Sequence, residues 1–183
     1  MNNFSPDCQS DTANSELVTW FSVQQFYARE AHLLDDLKFR KWIDLFADEA
    51  FYWMPIVSNR IGRDVGKEVG ELNDLAHYEE DKLSLSNRVK RLETGMAWAE
   101  TPPGKTRHMI SNIVVSPGDA DNQVKVVSAF LIWRSSLEVD QEIFAGKRLD
   151  TLRRDDETGW KILTRKIVID HATLTQKSLG IFI

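Results

Sequence analysis

The amino-acid sequence predicts an α+β fold: N-terminal helices packed on one face of a long, strongly curved antiparallel sheet. Three observations carry this. The hydrophobic period switches from helical to alternating near residue 50. The second half then holds extended runs parted by turn residues, so helices and strands are segregated along the chain, the pattern of α+β and not of a doubly wound parallel sheet. Two of those runs, near 123–137 and 139–154, are about three times the usual strand length of about 5–6 residues. Strands that long bend and coil, often at a bulge or a glycine. A curved sheet wrapped around helices has the form of a cone.

Residues 1–14 are polar and read as a mobile N-terminal tail, leaving 15–183 as one α+β domain. Ser15 and Glu16 mark a helix start. From there to Asp35, Leu17, Trp20, Phe21, Gln24, Tyr27, Ala31 and Leu34 share one broad face, with Arg29, Glu30 and Asp36 off it. A shorter helix is expected over Lys38 to Ala47, with Phe39, Trp42, Ile43 and Phe46 inward.

Ala50 to Val57 (AFYWMPIV) is a strand of aromatic and β-branched residues. Pro55 cannot donate to a ladder, so the strand is edge-like or bulged there. Phe51 and Trp53 point one way, Tyr52 and Met54 the other, so both faces need cover. Residues 58–78 form a charged, glycine-punctuated connection. A third helix is expected from Glu79 to Thr94, with Gly95 as its C-cap and Arg88, Lys90 and Arg91 in its last turns. Trp98 starts an extended stretch broken by Pro102-Pro103-Gly104. The strands Lys105–Ser116, Gln123–Leu137, Val139–Arg154 and Trp160–Asp170 follow, with a bend expected near Gly146 and turns at Pro117-Gly118-Asp119 and Asp155–Gly159.

Chemistry is harder to find. The net charge of −5 gives no overall field for nucleic acid. The one cysteine, Cys8, makes no internal disulfide and cannot hold an iron–sulfur cluster; a reducing, cytoplasmic setting follows. No apolar run approaches the roughly 18–20 residues of a membrane helix. His32, His77, His108 and His171 stand apart, without metal-ligand spacing. Phosphate-loop, dinucleotide and nucleophile-elbow motifs are absent. An acid–base pair would need one or two groups in a dry pocket. Asp170-His171, Arg107-His108, and His32 with Asp35 and Asp36 one turn away are the local candidates, each more simply read as a solvated or hydrogen-bonded histidine. Lys147, Arg148, Arg153 and Arg154 among Asp150, Asp155 and Asp156 read as a solvated or salt-bridged strand surface. The six tryptophans read as core or interface anchors. No catalytic, cofactor-binding or metal residue is assigned.

Four segments together resemble one family. FYAREAHLLDDLKFRKWIDLFADEAFYWMPI (26–56), RVKRLETGMAWAETPPGKTRHMISNI (88–113), IFAGKRLDTLRR (143–154) and the end IDHATLTQKSLGIFI are similar to the small (β) subunit of Rieske non-haem iron aromatic-ring-hydroxylating dioxygenases. Within it the chain resembles the branch of biphenyl, benzene and cumene dioxygenases or their polycyclic-hydrocarbon relatives. The resemblance runs over 17–183. It implies the cone-shaped, nuclear-transport-factor-2-like fold and a metal-free structural role in the terminal oxygenase. It implies a large (α) partner that carries the Rieske [2Fe–2S] cluster and mononuclear Fe(II), three large and three small subunits in contact, and an isolated chain without activity. The complex would convert aromatic hydrocarbons to cis-dihydrodiols with O₂ and NADH. Alternatives are a stand-alone cone-fold dehydratase or isomerase with an acid–base pair in its pocket, and a metal-free binding adaptor. The arm 58–78 and the strand Phe51–Ile56 are the candidate subunit contacts, with the apolar end Leu179–Ile183 a further interface feature; the alternative for Phe51–Ile56 is simply buried core. Trp53→Asp would then weaken assembly more than folding.

Overall fold

The computed structural model describes residues 7–57, 69–72, 74–93, 104–136, 140–170 and 182–183. The elements are α1 (Asp7–Asp35), α2 (Phe39–Ile43), β1 (Phe46–Pro55), β2 (Ala76–Asp81), α3 (Lys82–Glu93), β3 (Lys105–Pro117), β4 (Gln123–Ser136), β5 (Asp140–Asp155) and β6 (Gly159–Ile169). The sheet order is β2-β1-β6-β5-β4-β3.

Helices before a long-stranded meander is the order expected, and β3 to β6 pair antiparallel throughout. The sheet as a whole is mixed, however. β6 returns beside β1 and runs parallel to it. β1 is therefore an interior strand and not an edge. Pro55 is tolerated because the β1–β2 register shifts between Met54 and Pro55.

Several boundaries move. α1 begins at Asp7, upstream of Ser15. It ends where Leu37 takes φ 57 and Lys38 N–H reaches back to the Leu33 carbonyl at 2.8 Å, a left-handed helix stop. α2 is a single short turn, because Phe46 and Ala47 already belong to β1. Part of the expected connection is strand: Tyr78 faces the core from β2, while Glu79 and Asp81 pair with Trp53 and Phe51. Asp81 then accepts the Ser84 N–H at 2.7 Å, starting α3 three residues later than its apolar pattern suggests. Gly95, Trp98, Pro102 and Pro103 lie outside the described residues.

α1 lies on the inner face of the sheet, with Trp20 Nε1 donating to the Ile113 carbonyl on β3 at 3.0 Å. The core is Val23, Phe26, Tyr27 and Leu34 of α1, Trp42 of α2, Leu85 and Val89 of α3, and the inward residues of the strands, among them Phe130, Ile132, Phe144, Leu152, Ile162 and Ile167. Each such side chain stabilises the fold by about 1.5–3 kcal/mol on burial.

No register shift of β5 falls at Gly146. Register shifts fall between Ser111 and Val114, where Asn112 has φ 52, and at Thr151/Leu152. Gly146 has a different task. It sits between Phe130 and Ile169, and a Cβ there would lie 2.2 Å from the Val168 carbonyl oxygen and 2.8 Å from Phe130 Cζ. Backbone cannot yield as a flexible side chain does. Gly146→Ala is expected to cost about 1–3 kcal/mol, read as a lower urea midpoint with an unchanged slope.

Candidate functional site

The inner face of the sheet carries charge at its centre. On β5, Arg148 and Asp150 alternate in phase with Phe144 and Leu152, so the pleat that buries the apolar residues buries the charges as well. Arg165 stands likewise between the core residues Ile162 and Ile167 on β6. From α1, Glu30 follows Phe26 and Tyr27 inward and is 1% exposed. This corrects two expectations. Glu30 is on the inward face of α1, whereas Leu17 and Phe21 are exposed. Arg148 and Asp150 are salt-bridged, but in the core and not at a surface.

The four charges sum to zero and are linked. Arg165 donates from Nη1 to Glu30 Oε1 at 2.5 Å, from Nη2 to Glu30 Oε2 at 3.0 Å, and from Nη2 to Asp150 Oδ2 at 2.9 Å. Arg148 Nη1 reaches Glu30 Oε2 at 3.2 Å, and its guanidinium lies 4.6 Å from the centre of the Tyr27 ring. Its Nε and Nη2, with Ser128 Oγ opposite, have no partner among the described residues. Tyr27 donates to Asp150 at 2.8 Å and Trp42 to Glu30 at 3.0 Å.

The end of the chain closes this interior. Phe182 lies 4.6 Å from Trp42, ring centre to ring centre, and Ile183 is 1% exposed. Tyr52 Oη accepts the Ile183 N–H and donates to the Ile183 carbonyl, both at 3.1 Å. Arg165 Nη1 donates to the same carbonyl at 3.2 Å. The expected exposed apolar end is thus core at Phe182 and Ile183; Leu179 to Ile181 lie outside the described residues.

Burial acts on Glu30, Tyr27 and Tyr52. It pushes Glu30 up, but the guanidinium groups of Arg165 and Arg148 and the hydrogen bonds from Arg165 and Trp42 outweigh it and hold the carboxyl at about 2, against its ordinary 4.5. Burial and the neighbouring Asp150 raise Tyr27 well above its ordinary value, and burial raises Tyr52. Glu30's value is lowered on folding. Its stabilisation is therefore complete above about pH 4.5 and is lost as pH falls toward about 2. About 3 kcal/mol is expected to go in that window. Glu30→Gln should be less stable at pH 7 and show a flatter acid limb in urea unfolding monitored from pH 5 down to pH 2.

A second buried pair lies beside the first. Asp35 does not meet His32, which is exposed, but His108 on β3. Its Oδ1 is 2.6 Å from His108 Nδ1 and accepts the His108 backbone N–H at 3.1 Å, with Thr106 Oγ1 also at 3.1 Å. His108 Nε2 is 3.0 Å from the Phe182 carbonyl. Both ring nitrogens lie against oxygen atoms. Arg107 points outward, 66% exposed, and reaches Asp35 only at 3.5 Å. His77 is half-buried on β2, which lowers its value. His171 lies outside the described residues.

Among the described residues the donor set does not suit an iron centre. The described histidines sit on three separate elements, His108 has both nitrogens engaged, and no cluster of three potential ligands exists among the described residues. Nor is any described helix long and apolar enough to cross a membrane.

The proposed contacts fare unequally. Tyr52 and Met54 are core, and Trp53 is only 8% exposed beneath the Lys166 ammonium, 4.4 Å from its ring centre. Trp53→Asp would therefore cost folding, not assembly alone. Of the arm, 58–68 and residue 73 lie outside the described residues; Leu72 and Leu75 are exposed.

The sequence and the fold have known counterparts. Residues 29–176 match the family described as ring hydroxylating beta subunit. The chain is 38% identical over 161 residues to the chlorobenzene dioxygenase subunit beta of Cupriavidus sp. strain PS12, covering 87% of this chain and 86% of that one. Identity and coverage are the same for a benzene 1,2-dioxygenase subunit beta of Pseudomonas putida. In fold it is similar to a naphthalene 1,2-dioxygenase chain, with TM-score 0.76 and 20% identity over 87% of this chain and 83% of that one. The chain belongs to the family of ring-hydroxylating dioxygenase beta subunits.

Proposed function

We propose that this chain is the structural, non-catalytic small subunit of the terminal oxygenase of an aromatic-ring-hydroxylating dioxygenase. The observation that carries the proposal is the family match over most of the chain. It is supported by an interior in which the buried acids and bases already have partners and Phe182 and Ile183 fill the space beside them. The larger α subunit would hold the Rieske cluster and mononuclear iron, in a cytoplasmic assembly of three large and three small subunits. Electrons from NADH and both atoms of O₂ would there yield cis-dihydrodiols from an aromatic hydrocarbon. Residues 15–183 would form the one structural domain, preceded by the polar tail 1–14.

The test is purification of the tagged chain from its native host. Expected are a mass of three large and three small chains, bound iron, and a Rieske absorption spectrum that belongs to the larger chain. A colourless, iron-free protein eluting without a larger chain would overturn the subunit reading. Turnover by that lone chain, abolished by Asp35→Asn, would put the acid–base reading in its place.

A further inference from the structure

Three polar atoms on the inner face of the sheet stand outside the ion-pair network. Arg148 Nε, Arg148 Nη2 and Ser128 Oγ are buried and have no hydrogen-bond partner among the described residues. Both residues are 1% exposed. They lie directly opposite each other on β5 and β4. Such cross-strand neighbours have Cβ atoms about 4.5–5.5 Å apart, so one small molecule can reach both. Arg148 is held from two sides: Nη1 donates to Glu30 at 3.2 Å, and the centre of the Tyr27 ring lies 4.6 Å from the guanidinium carbon. These contacts leave the Nε–Nη2 edge, with its two parallel N–H groups, to bind something else. A small side chain and a bulge meet beside it. Ser128 is the small residue of an inward row that runs Val126, Ser128, Phe130, Ile132. The β3–β4 register passes from Ser111–Ala129 to Val114–Val127, so Asn112 and Ile113 share Ser128 as their one opposite residue. That extra residue breaks the ladder next to Ser128.

A buried donor without an acceptor costs the desolvation of that group, and more when the group is charged. Proteins satisfy nearly all such groups, with ordered water where no protein atom serves. The occupant here must accept from two N–H groups of one guanidinium and bond a hydroxyl. A halide or a carboxylate could accept them. Glu30, Asp150, Arg148 and Arg165 already sum to zero charge, however, so an anion would enter the interior uncompensated. A cation or an apolar molecule offers no acceptor. Water is small and neutral, both accepts and donates, and typically makes about three bonds when buried. We propose that Arg148 Nε, Arg148 Nη2 and Ser128 Oγ together bind one internal water molecule. That water ties β4 to a network whose ion pairs join only α1, β5 and β6. The site lies wholly inside this chain, so it stands or falls apart from the subunit reading.

The experiment uses the full chain, with water itself as the probe. Oxygen-17 relaxation dispersion counts the waters held long inside a protein. Ser128→Val removes the hydroxyl and fills its space with methyl groups. The variant is expected to hold one long-lived water fewer than wild type, with an unchanged circular dichroism spectrum. An equal count in the two folded proteins would overturn the proposal. Diffraction from wild-type crystals soaked in bromide tests the same atoms without any substitution, so a Ser128→Val chain that fails to fold leaves the proposal open to refutation. Expected is a density peak within about 2.7–3.2 Å of Arg148 Nε, Arg148 Nη2 and Ser128 Oγ, with no anomalous signal. An anomalous bromide peak there would make it an anion site and overturn the water. A protein group bonded to the three atoms would overturn it too, as would a site without density.

Discussion

Arg165→Met is expected to destabilise the chain by about 3–5 kcal/mol, a large part of the 5–15 kcal/mol that holds a typical domain together. Arg165 is fully buried and donates to Glu30, to Asp150 and to the Ile183 carbonyl. Without it Glu30 keeps Arg148 at 3.2 Å and Trp42 at 3.0 Å, and Asp150 keeps the Tyr27 hydroxyl. Two buried carboxylates would then share one guanidinium. Arg165→Lys keeps the charge but not the planar fork, and should fall between Met and wild type. Replacing Glu30, Arg148, Asp150 and Arg165 together by apolar residues should cost less than Arg165→Met, because no charge is then stranded. Urea unfolding at fixed protein concentration measures all three. A midpoint for Arg165→Met within experimental scatter of wild type would mean that the network does not hold the fold.

The second large effect is expected at Phe182. Its ring packs on Trp42 at 4.6 Å and edge-on to Phe39 at 5.5 Å, and it is 6% exposed. Phe182→Ala should cost about 3–5 kcal/mol through lost burial and the cavity left behind. For a chain of this size that lowers the melting temperature by roughly 6–20 °C. Phe182→Leu conserves most of the volume and should cost less than about 1.5 kcal/mol. The carbonyl that meets His108 belongs to the backbone and survives both substitutions. An unchanged melting temperature for Phe182→Ala would show that the chain end does not close the interior.

The architecture of the second half was legible because strands announce themselves. Alternation and turn residues placed β3, β4, β5 and β6 within one or two residues. The short N-terminal elements were less so. Phe39 to Phe46 has a helical apolar pattern, yet Phe46 joins β1 because pairing with Ile162 on β6, distant in sequence, outweighs local propensity. β2 was hidden for the same reason, being a short charged strand that exists only where β1 offers it a ladder.

The buried network left a signal that mixed charge concealed. Arg148 and Asp150 are two residues apart and in register with Phe144 and Leu152. A strand phase that holds both apolar and charged residues implies that the charges meet buried partners. Which partners they meet is a tertiary matter. Glu30 lies 118 residues from Arg148 and 135 from Arg165, and Asp35 lies 73 from His108. The fold class, the long strands, the histidine spacing and, through resemblance, the family were legible in the order of the residues. That β1 runs parallel to β6, that Phe182 and Ile183 are core, and which charges face inward emerged from the packed fold. Periodicity assigns a residue to a face, but burial depends on what the rest of the chain lays against that face.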